Sequence, residues 1–126
     1  MNNDTLSAAL SKIMNAERVG KRECTITTTS KVVVALLEIM NKHSFIGSFE
    51  RMEKGALRIH LLGSINNCGS IKPRFSIQVA EFEKWERRYL PARGFGIIVL
   101  STSKGMMTYD EALKQHIGGK LIAYCY

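Results

Sequence analysis

The apolar residues of this chain change period from one segment to the next, and that alternation restricts the fold more than any other feature. Leu6, Ala9, Leu10, Ile13 and Met14 recur every three or four residues, the stripe of an amphipathic helix; Asp4 or Thr5 can cap it and Gly20 can stop it. Residues 23–28 follow as a short β-branched strand. Ser30 can cap a second helix over 31–42, where Val32, Val33, Leu36, Leu37, Ile39 and Met40 leave little polar face and predict extensive burial. Residues 45–53 and 56–62 read as a hairpin turning at Lys54-Gly55, with Leu57, Ile59 and Leu61 on one face and Arg58 and His60 on the other. The first half therefore has the order α-β-α-β-β.

A polar, glycine-punctuated stretch then suggests a boundary: a lobe at 1–63, a link at 64–70 and a second lobe at 71–126. The second lobe opens with a strand around 74–79. A short helix follows over 81–89, with Phe82, Trp85 and Tyr89 on one face, and ends before Pro91. Next come a strand at 96–100, a polar loop, a helix at 109–116 with Thr108 and Glu111 as a capping box, and a last strand at 120–126. The expected fold is α+β in two small lobes, the second of them mixed and β-rich with short helices.

Eighteen Lys and Arg against eleven Asp and Glu give a net charge of +7, which makes a polyanion the first partner to consider. The excess is spread: residues 1–70 carry nine bases and six acids, and residues 71–126 nine and five. Such spreading suits a broad anionic contact rather than a basic tail. Cys24, Cys68 and Cys125 lie far apart without metal-ligand spacing, so free thiols in a reducing compartment and no bound metal are expected. No apolar run approaches the ~20 residues of a membrane helix. A cytoplasmic protein is the expectation.

The polar loop carries the most chemistry. Ser101, Thr102, Ser103, Lys104 and Gly105 group hydroxyls, bare backbone N–H groups and a cation at a strand end, a set that suits a phosphate backbone. A strand-to-helix turn whose hydroxyls satisfy its own backbone explains it equally well, and at this point both readings stand. Gly118-Gly119 has the same ambiguity: a helix end accounts for Gly118, and close approach to another backbone would account for the second glycine. The loop lacks the GxxxxGK[ST] phosphate motif, and its match to SxxK comes without the companion motifs of a Ser-Lys hydrolase. His43, His60 and His116 show no carboxylate or Ser partner at a recognisable spacing and are assigned no chemistry. Asp110-Glu111 suits a helix start, and Glu81, Glu83 and Glu86 interleave with Lys84, Arg87 and Arg88 as on a solvated face. Tyr124 and Tyr126 could stack on a base or pack in the core. No catalytic group, cofactor or small-molecule substrate is expected.

The stretch from Ser101 to Thr108, Glu111-Ala112, Gly118-Gly119-Lys120-Leu121 and the aromatic end closely resembles the C-terminal signature of small-ribosomal-subunit protein eight. Asn15-Ala16-Glu17, Gly20-Lys21, Ser30-Lys31, Phe45-Ile46-Gly47, Asn67-Cys68-Gly69, Pro73-Arg74 and residues 90–93 resemble its archaeal and eukaryotic branch. The resemblance implies a primary binder of the central domain of small-subunit rRNA that helps assemble the platform, near small-subunit proteins five and twelve. It implies RNA contacts at Ser101, Thr102, Ser103, Lys104 and Gly105, flanked by Gly118 and Gly119, with a second contact at Asn15, Ser30 and Lys31. The alternative is a free translational regulator binding its own messenger RNA. The family pattern is broken at Thr27-Thr28-Thr29, Asn67 and Leu113, which bears on peripheral contacts only.

Overall fold

Helix α1 spans Thr5–Arg18 and buries Leu6, Ala9, Leu10, Ile13 and Met14, as their spacing predicts. Its end is a glycine stop: the Gly20 N–H donates to Glu17 O and the Lys21 N–H to Ala16 O, with Gly20 at φ 76°. That paired bonding satisfies carbonyls the helix would otherwise leave open. The computed structural model describes residues 5–27, 30–71, 74–92 and 95–126, so the Asp4 cap and the Thr28 end of the first strand lie outside the described residues.

Strand β1 covers Glu23–Ile26, and helix α2 covers Lys31–Lys42. Ser30 caps α2, its hydroxyl accepting the Val33 N–H at 3.3 Å. Burial of α2 is narrower than its composition predicts. Val33, Leu36, Leu37 and Met40 are buried, whereas Val32 and Ile39 are only half covered and Glu38 is exposed. One face of a helix meets the sheet, and apolar residues in excess of that face stay partly wet.

Strands β2 (Ile46–Arg51) and β3 (Leu57–Leu61) form the predicted hairpin. The Met52 N–H donates to Ala56 O at 2.8 Å and closes a three-residue loop, Glu53 to Gly55, in which Lys54 and Gly55 both take positive φ, 62° and 76°. Leu57, Ile59 and Leu61 are buried on one face of the strand, and Arg58 and His60, on the other, are half covered. The sheet is antiparallel in the order β1-β3-β2.

The chain divides into two compact units, Met1–Asn67 and Cys68–Tyr126. The second begins directly in a strand: β4 covers Cys68–Ser70, inside the stretch expected to be a link, because Cys68 is buried where it pairs with Cys125. Strand β5 is only Ser76–Ile77, since the chain turns at Gln78, where a capping box with Glu81 starts the next helical segment. Helix α3 covers Phe82–Tyr89. Strand β6 covers Ile97–Thr102, β7 Gly105–Thr108 and β8 Gly119–Cys125, with helix α4 (Tyr109–Gln115) between β7 and β8. The order is β4-β8-β6-β7, with β5 also paired to β8, and every pairing is antiparallel. Ile71, Phe82, Trp85, Ile98, Leu100, Tyr109 and Leu121 lie in the core of this unit. The fold is α+β.

Two features of this unit correct the sequence reading. Glu86 is not on a solvated face: it is buried and accepts a hydrogen bond from the Tyr109 hydroxyl. Helix α4 also ends before Gly118. His116 takes the left-handed turn at φ 54°, with the Ile117 N–H bonding Ala112 O. Gly118 is therefore needed for something other than capping.

A candidate nucleic-acid interface

The loop at 101–105 is not a strand-to-helix turn. It is the tip of a β-hairpin, in which Ser101 and Thr102 end β6 and Gly105 begins β7. Four residues with two adjacent methionines give β7 little alternation to read, so only the pairing of Val99 with Thr108 through Thr102 with Gly105 reveals it. Gly105 closes the turn at φ 111°.

The three hydroxyls of this tip differ in what they do. Thr102 Oγ1 accepts the Lys104 N–H at 3.1 Å and donates to Gly105 O at 2.8 Å, so it holds the turn. Ser101 and Ser103 are exposed and make no side-chain hydrogen bond among the described residues. Lys104 is likewise exposed without an ion pair among them. The hairpin thus presents two hydroxyls and a cation on a turn tied from within, which lowers the entropy lost when a partner is gripped.

Sheet register extends this surface to residues that linear reading left out. Ser101 pairs with Lys120 on β8, and Lys120 pairs with Ser76 on β5. Directly paired residues project from the same face of a sheet. Ser76, Lys120 and Ser101 form an exposed row leading toward the hairpin. In sequence Lys120 is the first residue of a strand and part of the C-terminal signature, and nothing linear connects it to Ser76.

The two glycines are brought beside the hairpin. A Cβ on Gly119 would stand 2.5 Å from Ser101 O and 3.0 Å from Thr102 Cγ2, and one on Gly118 would stand 2.3 Å from Ile77 O. Their missing side chains make room for the protein's own backbone. Close approach, the second of the two sequence explanations, accounts for both.

In the N-terminal unit Asn15 is exposed on α1 and lines a cleft of about 520 Å³ with Lys12, Lys21 and Cys24. Lys12 Nζ reaches Thr25 O at 3.4 Å across it. Burial raises the Cys24 thiol above its ordinary pKa, with Lys12 and Lys21 pulling the other way. Ser30 and Lys31 line a different cleft with Glu38 and Arg51. The structure therefore does not gather Asn15, Ser30 and Lys31 into one cavity, and the Ser30 hydroxyl is already engaged as a cap.

His60 does have carboxylate neighbours. Its two ring nitrogens lie 4.0 Å from Glu23 and 4.0 Å from Glu50, on the strands either side of β3. Both arrive through cross-strand pairing, which spacing along one strand cannot show. Among the described residues no group of three His, Cys, Asp or Glu is placed to hold a metal ion, and no helix is long and apolar enough to cross a membrane.

An exposed hydroxyl-and-cation hairpin on a small α+β framework with net positive charge is the surface chemistry of a polyanion binder. The family model described as ribosomal protein S8 matches residues 4–126, and the chain belongs to that family. It is also 46% identical over 126 residues to a protein of Methanococcoides burtonii named small ribosomal subunit protein uS8, covering 98% of this chain and 97% of that one.

Proposed function

We propose that this protein is a structural constituent of the small ribosomal subunit that binds the central domain of the small-subunit rRNA directly and helps assemble the platform. Its role is structural rather than catalytic, and its residence is the cytoplasmic ribosome. Family membership over nearly the whole chain is the observation that carries the reading.

The chemistry of the hairpin supports the RNA contact. A-form RNA presents 2′-hydroxyls and phosphates across a shallow minor groove, and the Ser101 and Ser103 hydroxyls can both donate to and accept from them. Lys104 adds a point charge for phosphate, and Lys120 a second along the same row. Gly118 and Gly119 act by letting β5, β8 and β6 close up beneath the hairpin. In the N-terminal unit the proposed contacts are Asn15, with Lys12 and Lys21 adding charge beside it, and, at a separate cleft, Ser30 and Lys31. Small-subunit proteins five and twelve are the proposed neighbours.

Expressing a tagged copy in a related archaeal host and fractionating the lysate by sedimentation tests this. Recovery with small subunits at about one copy each is expected. A tagged protein that stays in the ribosome-free fractions while bound to messenger RNA would replace the reading with that of a free regulator.

A further inference from the structure

Six aromatic rings run through the C-terminal unit in an unbroken chain. Phe75 lies 5.2 Å from Trp85 between ring centroids, Trp85 6.1 Å from Tyr89, and Tyr89 5.4 Å from Tyr124. Tyr124 lies 6.2 Å from Tyr126, and Tyr126 6.3 Å from Phe95. Core packing explains the middle of this ribbon, where Trp85 is buried and the three tyrosines are half covered. It does not explain the ends: Phe75 and Phe95 are 41% and 50% exposed.

Charge along the ribbon is one-sided. The three acids at the start of and along α3 are engaged, Glu81 with the Gln78 N–H, Glu83 with Arg87 and Glu86 with Tyr109. Arg87 is thus taken up by Glu83, and the other two cations of the helix lie over rings instead. Arg88 is 5.2 Å from the Trp85 centroid and 6.0 Å from that of Tyr89, and Lys84 is 5.7 Å from Trp85. Arg74, exposed, precedes Phe75.

We propose that this ribbon is a stacking surface for unpaired RNA nucleotides, a contact separate from the hairpin at 101–105. The inference rests on the reading of the protein as an RNA binder. A nucleotide offers a flat π face to the phenyl rings and a phosphate to Arg88, Lys84 or Arg74, whereas an acidic peptide answers only the cations. Stacking of this kind tolerates any base, because every base has a π face.

Trp85 is the single tryptophan of the chain, so its fluorescence reports from within the ribbon. Titrating the full chain with an unstructured RNA oligonucleotide at low salt is expected to give saturable quenching. Phe75→Leu and Phe95→Leu, which stay apolar but lose the ring, each weaken it roughly 5-fold or more, and Phe95→Tyr, which keeps a ring without adding a second indole, retains it. A chain that shows no specific binding to a structured central-domain rRNA fragment can still give this quenching with the unstructured oligonucleotide, so the two readings fail separately. Absence of quenching, leucine variants that bind as well as the parent, or polyglutamate competing as well as RNA would overturn the proposal.

Discussion

Glu83 and Glu86 sit on the same short helix and experience opposite environments. Glu83 pairs with Arg87 at 3.0 Å in solvent, while Glu86 is buried and receives the Tyr109 hydroxyl. Removing a donor from a buried carboxylate forfeits more than breaking an exposed ion pair, where water replaces the partner. Tyr109→Phe is expected to destabilise the fold by about 1.5–3 kcal/mol in denaturant titration. Glu83→Gln should cost under about 0.5 kcal/mol in the same measurement. Tyr124 gives a second residue-scale test. Burial first, then Tyr126, Cys68, Tyr89 and Cys125, hold its phenol above the ordinary value. A group whose folded pKa is raised stabilises the fold fully below its unfolded pKa, about 10 for a phenol, and loses that contribution as pH rises through the folded value. An ultraviolet titration should therefore show a tyrosine ionisation above the ordinary phenol value that is absent in Tyr124→Phe, with stability declining above about pH 10 and the same substitution flattening the decline.

Elements with their own local signals were legible in the sequence. Both long helices were, because Ser30 and Gly20 mark their ends and the apolar stripes give their faces, and the β2–β3 hairpin followed from Lys54-Gly55. Ser30→Ala should lower stability by about 0.5–2 kcal/mol, read as a shift in the unfolding midpoint, since the Val33 N–H loses its acceptor. Strand β7 was not legible. It is short, and its identity lies in its partner β6 rather than in its own pattern. Burial of Glu86 and the carboxylates beside His60 were hidden for the same reason: each depends on a residue far away in sequence. The candidate site was legible as residues but not as geometry. Its five loop residues stand together in sequence as one polar loop, yet the division of labour between Thr102, which braces the turn, and Ser101 and Ser103, which face outward, needed coordinates. So did the use made of the glycines. Gly118→Ala and Gly119→Ala should each cost about 1–3 kcal/mol in thermal or chemical unfolding, because the added methyl meets backbone oxygen rather than open space.

At the scale of the whole molecule, a net charge of +7 is divided almost evenly along the chain, and each compact unit carries its own proposed contact. Family membership says what assembly such a chain belongs to, and the proposed hairpin contact is the way it would hold RNA there. The dependence of affinity on salt separates charge contacts from hydroxyl contacts, because only phosphate neutralisation releases counterions. The most direct measurement is the binding of the intact chain to a central-domain rRNA fragment across a range of salt concentrations, compared with Lys104→Ala and with Ser103→Ala. The account predicts specific binding, a salt slope reduced by about 0.7–0.9 in Lys104→Ala, and weaker binding with an unchanged slope in Ser103→Ala. Binding no tighter than to unrelated RNA, or variants that match the parent in both affinity and slope, would contradict it.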